Sequence, residues 1–233
     1  RQMCIRDSPI TVDVRHTADG GMTPTTTIIS GVLDNASREA FGLGTDRLLN
    51  AAIPFSAELH GDRWDLSEIV IDLDLTPVDV RPPIHQSDKA AGVPGTAQVL
   101  IEPQDDGLIK VPAFSILTAS FAASGQLTVD RDATHAVGIG TANGTPFQLE
   151  WQRVSEKGKA GNRLTLAATL DDSARANIGY STSAWLTGPV ETTASLFSQG
   201  LRTQSVEVIV DFAPAAVNLP LWNKAAGMDG IAQ

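Results

Sequence analysis

Cysteine is nearly absent from this 233-residue chain. Cys4 is the only one, which excludes an intrachain disulfide and a thiolate metal site. Histidine is scarce as well. His16, His60, His85 and His135 are far apart, and none falls in an H-x-x-x-H or H-x-x-E-H pattern, so the usual zinc-ligand spacings are missing. Positive charge is in deficit: 17 Lys and Arg stand against 27 Asp and Glu, a net charge of −10. That balance does not suit nucleic acid, where Lys and Arg must neutralise phosphates, nor docking on anionic headgroups. Aromatic residues make up only 5%. Long apolar runs are absent too. The stretch 111–125 (VPAFSILTASFAASG) is rich in Ser and Ala and falls short of the roughly 20 apolar residues of a bilayer-spanning helix. No serine lies in a G-x-S-x-G elbow, so hydrolase chemistry of that type has no support. A hydrophobic fraction of 42% nonetheless fits a folded protein.

What the chain does have is an internal repeat, which must be recognised before any other fold reading. Residues 89–98 (KAAGVPGTAQ) and 224–233 (KAAGMDGIAQ) agree at seven of ten positions. Upstream, Leu33, Asp34, Arg38, Gly42, Thr45 and Leu49 match Leu170, Asp171, Arg175, Gly179, Thr182 and Leu186. The offset is 137 residues in the first block and 135 in the last. A unit of that length is domain-sized rather than a short solenoid repeat.

The first eight residues, RQMCIRDS, read as translated transposase-adapter sequence, and such scars are set aside in fold reasoning. The only cysteine goes with them. The remainder opens inside a strand-like run and closes on the repeated block, as expected of a window on a longer protein. The organisation expected is a scar at 1–8, the end of a preceding unit at 9–30, a complete β-rich unit at 31–165, and the first half of the next at 166–233.

Alternation with period two dominates. In 67–75, Ile69, Ile71, Leu73 and Leu75 point one way, and Val70, Asp72 and Asp74 the other. The second copy repeats this with Val206, Val208, Val210 and Phe212 against Glu207, Ile209 and Asp211. Leu127 with Val129, Leu149 with Phe147 and Trp151, and Leu164 with Leu166 extend the pattern. Strands with one apolar and one polar face predict an antiparallel sheet wet on one side. Asp19-Gly20-Gly21, Asp105-Asp106-Gly107 and above all Asn143-Gly144 are turn signals, and Pro77 and Pro214 close equivalent strands. One short helix per copy is expected. Asp34 and Asp171 are placed as N-caps, and Gly42 and Gly179 as left-handed C′ residues. Ala40, Phe41, Leu43, Ile178 and Tyr180 are expected to seat these helices on the sheet. The fold class that follows is mainly β: an elongated, curved antiparallel sheet, groove-like and built of repeated units, with one short capped helix per repeat.

Candidates for chemistry are few. Asp72 and Asp74 share a strand face, as paired acid–base carboxylates would, but Asp72 is Ile209 in the second copy, so a solvated polar face is the simpler expectation. Asp105-Asp106-Gly107 lacks the spaced ligands of a calcium loop, and Gly138, Gly140 and Gly144 do not form a phosphate-binding fingerprint. Lys89 and Lys224 carry the charge for anion binding, but their place at a strand entry in both copies favours a loop role. No catalytic residue, metal or cofactor is assigned. What remains is the apolar face, ordinarily a packed core, or else a groove that holds apolar ligand.

The helix pattern L-D-x-x-x-R-x-x-x-G, the strand VEVIVDFAPA and the following W-x-K-x-x-G, with Trp222, Lys224 and Gly227, together resemble the AsmA-like superfamily, in particular YhdP-like proteins with a DUF3971 region. Copy one keeps Asp74, Leu75, Thr76, Pro77, Lys89 and Gly92, but has 85–88 (HQSD) where the Trp would stand. The resemblance implies a non-catalytic, bridge-like envelope protein in the periplasm. It implies an inner-membrane anchor outside this stretch and an apolar groove that moves phospholipid towards the outer membrane. Expected partners are phospholipid acyl chains and envelope proteins at either membrane, with no nucleic acid. The groove candidates are Ile69, Ile71, Leu73, Leu75, Leu127, Val129, Leu149, Leu164, Leu166, Val206, Val208, Val210 and Phe212. Two other expectations stand beside it. One is a structural or adhesive β-repeat protein with a closed, dry core. The other is a glycan-active enzyme using Asp72, Asp74, Trp64 and Trp151.

Overall fold

The computed structural model of the chain describes residues 11–16, 24–34, 49–62, 65–80, 88–104, 109–129, 134–156, 158–199, 202–229 and 231–232. The protein is mainly β, as its alternation predicts, with antiparallel pairing and almost no helix. It divides into two compact units. The first comprises Arg1–Arg81, Lys89–Ala119 and Ser124–Thr134, the second Pro82–Asp88, Ser120–Ala123 and His135–Gln233.

The first unit carries β1 (Thr11–His16), β2 (Pro24–Leu33), β3 (Leu49–Asn50), β4 (Ile53–Asp62), β5 (Asp65–Asp74), β6 (Asp79–Val80), β7 (Gly95–Pro103) and β8 (Ile109–Thr118). Six of these form an antiparallel ladder in the order β1-β2-β4-β5-β7-β8, and β3 pairs with β6 apart from it. Because side chains alternate, register decides which residues share a face. Here Ile29 pairs with Ala57, Ala57 with Ile71, Ile71 with Val99, and Val99 with Phe114. One residue along, the row is Ser30, Ser56, Asp72, Gln98 and Ser115. On the other side of the apolar row stand Ile28, Glu58, Val70, Leu100 and Ala113, so one of its two neighbouring rows is polar and the other largely apolar.

A further strand, β9 (Phe121–Val129), has residues in both units. The second unit continues with β10 (Thr134–Ala142), β11 (Thr145–Glu156), β12 (Lys159–Leu170), the helix α1 (Asp172–Asn177), β13 (Leu186–Thr187), β14 (Val190–Gln199), β15 (Arg202–Asp211), β16 (Ala216–Leu219), β17 (Trp222–Lys224) and β18 (Ile231–Ala232). Its ladder runs β10-β11-β12-β14-β15-β18. The hairpin expected at Asn143-Gly144 joins β10 to β11 with both turn residues at positive φ, 49° and 79°, as a primed two-residue turn requires. The apolar row here is Gly138, Leu149, Leu166, Ala194 and Val208, and the row beside it, polar but for Val137, is Val137, Glu150, Thr165, Ser195 and Glu207.

The helix α1 begins and ends where its caps predict. Asp171 accepts from the Ala174 amide at 2.7 Å. At the other end, Tyr180 N–H donates to Arg175 O at 2.7 Å and Gly179 N–H to Ala176 O at 3.0 Å, the paired bonds of a Schellman ending, with Gly179 at φ 91°. Its seating differs from expectation. Tyr180 is 61% exposed, and the buried helix residues are Ala174 and Arg175. A two-turn helix is too short to bury an apolar stripe, and Arg175 holds it by hydrogen bonds instead. The Arg175 guanidinium donates to Leu170 O (2.7 Å), Gly188 O (2.8 Å), Leu186 O (3.1 Å), Thr182 Oγ1 (2.7 Å) and the Asp172 carboxylate. The helix expected in the first copy, with Arg38, Ala40, Phe41, Gly42, Leu43 and Thr45, lies outside the described residues, as do the turns expected at Asp19-Gly20-Gly21 and 105–107.

The repeat is also a repeat of structure. One buried cluster contains Ile53, Leu75 and Val78, with Leu33, Leu73 and Val80 packed against it. The other contains Val190, Ala215 and Val217, with Leu170, Val210 and Phe212 against it. At the sequence offset of 137 these are the same positions: Ile53 with Val190, Leu75 with Phe212, Val78 with Ala215, Leu33 with Leu170, Leu73 with Val210 and Val80 with Val217. The small sheet that covers them recurs too, since Leu49 pairs with Val80 as Leu186 pairs with Val217.

Candidate functional site

Each unit presents an apolar face closed at one end by its cluster, and in the second unit a further buried cluster of Ala123, Ala142 and Phe147 packs against Leu149 and Leu166. In the first unit, Ile69, Ile71 and Leu73 lie beside Leu59, Ala57 and Phe55 on one flank and beside Ile101, Val99 and Ala97 on the other. Ile29, Ala57, Ile69, Ile71, Val99, Ile101 and Phe114 are half-buried, not buried, although an ordinary core would enclose them. Leu75, four residues on from Ile71 and just past the end of β5, is 4% exposed and belongs to the closed cluster.

The second unit repeats this division. Trp151, Leu164, Leu196 and Val206 form one row, and Leu149, Leu166, Ala194 and Val208 the next. Leu149, Leu164 and Leu166 are half-buried, while Val206 and Val208 are exposed. Val210 and Phe212 pack against the closed cluster. Leu127 and Val129 are half-buried on β9. The structure therefore brings Ile69, Ile71 and Leu73 together in one unit, and Leu149, Leu164, Leu166, Val206 and Val208 together in the other. It assigns Leu75 and Phe212 to the closed ends. Alternation in single strands missed Ile29, Phe55, Leu59, Val99, Ile101, Phe114 and Ile116. The runs 53–61 and 97–101 carry the same signal but are short or interrupted by small residues.

The repeated polar residues maintain the closed ends. Lys89 is 3% exposed, and its ammonium donates to Val78 O at 2.8 Å, Ala90 O at 3.2 Å and Thr76 O at 3.3 Å. Lys224 is 5% exposed and donates to Phe212 O (2.7 Å), Ala215 O (2.9 Å), Ala213 O (3.2 Å) and Ala225 O (3.2 Å). Both ammoniums are thus occupied by the carbonyls of the turn they close, which is the loop role expected of the KAAG block. Asp74 accepts from Thr76 N–H at 2.8 Å as Asp211 does from Ala213 N–H at 2.7 Å. Gly92 N–H donates to Thr76 O and Gly227 N–H to Ala213 O, each at 2.7 Å and each glycine at φ 86°. That φ is open to glycine and strained for side chains with a Cβ.

The remaining candidates stand on the polar faces. An open trough of about 520 Å³ in the first unit is lined in part by Ser56, Asp72, Asp74, Thr96, Gln98 and Ser115. Asp72 accepts from Gln98 Nε2 at 2.8 Å, so the two carboxylates serve separate hydrogen bonds. The Thr76 side chain and amide hold the Asp74 carboxyl below its ordinary pKa, with Lys89 adding to the effect. His60 stands 3.6 Å from Glu58 and His135 3.0 Å from Glu150. His85 and Trp64 lie outside the described residues. Among the described residues no group of three or more His, Cys, Asp or Glu is placed to hold a metal ion, and no helix is long and apolar enough to cross a membrane. No protein-family model, curated protein or solved structure matches the chain.

Proposed function

We propose that the half-open apolar faces hold lipid acyl chains, and that this is a non-catalytic, groove-forming lipid-transfer segment of a periplasmic envelope protein. One observation carries the proposal. Register lines up apolar side chains across five strands of the first unit, beside a polar row, and leaves those side chains half-exposed. A face of that kind gains about 0.8 kcal/mol for each methylene it takes from water. Because successive rows are similar, an acyl chain moves from one to the next with little change in energy. The acidic balance fits a site that reads the chain rather than an anionic headgroup. The resemblance of both copies to the AsmA-like superfamily points the same way.

The test is bound lipid. Protein extracted under native conditions and examined by mass spectrometry is expected to carry phospholipid. An Ile71→Asp, Val208→Asp variant is expected to carry about tenfold less, the equivalent of roughly 1.4 kcal/mol, while Ser115→Asp, on a polar row, retains it. These positions are preferable to Leu73 and Val210, which also pack on the closed clusters. Lipid-free protein whose Ile71 and Val99 side chains resist an aqueous probe would instead mark a structural β-repeat protein with a dry core.

A further inference from the structure

Buried polar groups in folded proteins almost always find a hydrogen-bond partner, and the buried Lys89, Arg175 and Lys224 find several each. Among the described residues, two buried side-chain oxygens have none: Thr145 Oγ1 and Thr192 Oγ1. Both belong to the second unit, and both border one cluster. Thr145 is 5% exposed and pairs with Ala142, which is buried with Ala123 and Phe147. Thr192 pairs with Ala168, which packs against that same cluster. Alternation puts both side chains on the apolar face. On β11, Thr145 is followed on that face by Phe147 and Leu149, and on β14, Thr192 is followed by Ala194 and Leu196. At the offset of 137, Thr192 stands where the first copy has Phe55, and it pairs with Val210 as Phe55 pairs with Leu73. The first copy thus fills this place with a ring, and the second puts a hydroxyl there.

The neighbours of these hydroxyls say what they can bond. Ala168 and Ala194 are short and half-buried, so the face is shallowest beside Thr192. No member of the cluster is charged, nor are Phe121, Leu149 and Leu166 packed against it. An ionised group brought here would lose its hydration and meet no opposite charge. A hydroxyl left unbonded in such a place lowers stability, but it can donate to an uncharged acceptor. We infer that the apolar face of the second unit reads the ester carbonyl of an acyl lipid through the Thr145 and Thr192 hydroxyls. The inference rests on the acyl-chain reading above and deepens it. The chain supplies the attraction, and the ester fixes where along the face the lipid stops. The first unit, with Phe55 in place of Thr192, takes the chain without regard to its ester.

The probes are methyl palmitate and n-octadecane, equal in chain length, added to the whole chain and to a Thr145→Val, Thr192→Val variant of the same shape. Methyl palmitate is expected to bind the variant about tenfold more weakly than the parent, and octadecane to bind both alike. The carbonyl band of the ester in the infrared is expected to move to lower frequency on the parent and not on the variant. Without ligand, the variant is expected to unfold at a denaturant midpoint no lower than that of the parent, because valine removes the unbonded hydroxyls. Undiminished ester binding by the variant overturns the inference, as does equal loss of both probes. A lower midpoint overturns it too, by giving the hydroxyls a structural role, and tighter binding of the palmitate anion than of its ester would rule out an uncharged acceptor. The two readings fail differently. If neither probe binds the parent, the acyl-chain reading falls and this one with it, whereas if both bind parent and variant alike, only the ester reading falls.

Discussion

The closed end and the open rows of each unit are built from much the same apolar residues, yet they are held in different ways. At the closed ends, Ile53, Leu75 and Val78 in one unit and Val190 and Ala215 in the other are buried, under a small sheet tied down by Lys89 or Lys224. Along the open rows Ile71 and Val99 stay half-buried outside the closed cluster, whereas Leu166, also half-buried, packs against a further buried cluster of Ala123, Ala142 and Phe147. The sequence identities between the copies, in Asp, Lys and Gly, gather at the closed ends. The open rows recur only as a pattern, with Ile, Leu and Val exchanged freely. Identity is required where hydrogen bonds must meet particular atoms, whereas an apolar surface needs only volume and alternation. The duplicated sequence therefore preserves the device that terminates the face, and the face itself is preserved by period.

That contrast is broken most directly by removing the buried ammonium. Lys224→Met keeps the length and packing of the side chain but leaves the Phe212, Ala213, Ala215 and Ala225 carbonyls without this donor. Some of them retain a second bond, since Ala215 N–H still donates to Phe212 O and Gly227 N–H to Ala213 O. A loss of about 3–4 kcal/mol is expected, from carbonyls stranded in a desolvated site. The check is a lower denaturant midpoint at unchanged m-value. A loss below about 0.5 kcal/mol, the range of ordinary surface substitutions, would mean the clusters are held by apolar packing alone.

A smaller effect comes from one substitution made in both regions. Ile53→Ala in the closed cluster, where the side chain is 2% exposed, is expected to cost about 3 kcal/mol in transfer and cavity terms. Ile71→Ala on the half-buried row is expected to cost about 1–1.5 kcal/mol, because part of the side chain already meets solvent and no enclosed cavity is left. Equal losses by thermal or denaturant unfolding would show that the rows are packed as tightly as the ends, and the proposed lipid face would be a core.

Most of the strands were legible from alternation, because period two is a local property and Ile69, Ile71 and Leu73 announce it within seven residues. The helix caps at Asp171 and Gly179 and the Asn143-Gly144 turn were legible for the same reason: one to three residues decide them. Register across the ladder was not. Outside that hairpin it depends on loops whose lengths leave the pairing open, so the match of Ile29 with Ala57 or Val99 with Phe114 could not be read along the chain. Nor was the burial of Lys89, Lys224 and Arg175, although the loop role of the two lysines was. Each is charged and buried, contrary to its type, and the carbonyls that make this tolerable come from turns up to 13 residues away.

The smallest effect concerns two exposed carboxylates, and it asks whether the turn into the closed end is also electrostatically set. The Asp74 carboxyl is held below its ordinary value chiefly by the Thr76 side chain and amide. Asp171 is held below its own by the Ala174 amide and the Ser173 hydroxyl, with Arg175 adding to it. A carboxyl whose pKa is lowered on folding binds protons more readily in the unfolded chain, so stability rises with pH through that range. The contribution is fully present above the unfolded value near 3.8 and is lost as the pH falls through the lower folded value. An Asp74→Asn, Asp171→Asn variant keeps an acceptor for both amides but does not titrate. Unfolding followed from pH 5 downwards is therefore expected to show a shallower acid decline in the variant than in the parent, with the two curves converging at the lowest pH. Parallel curves would place the acid sensitivity elsewhere among the 27 acidic residues, and would leave the closed ends to the buried Lys and Arg donors alone.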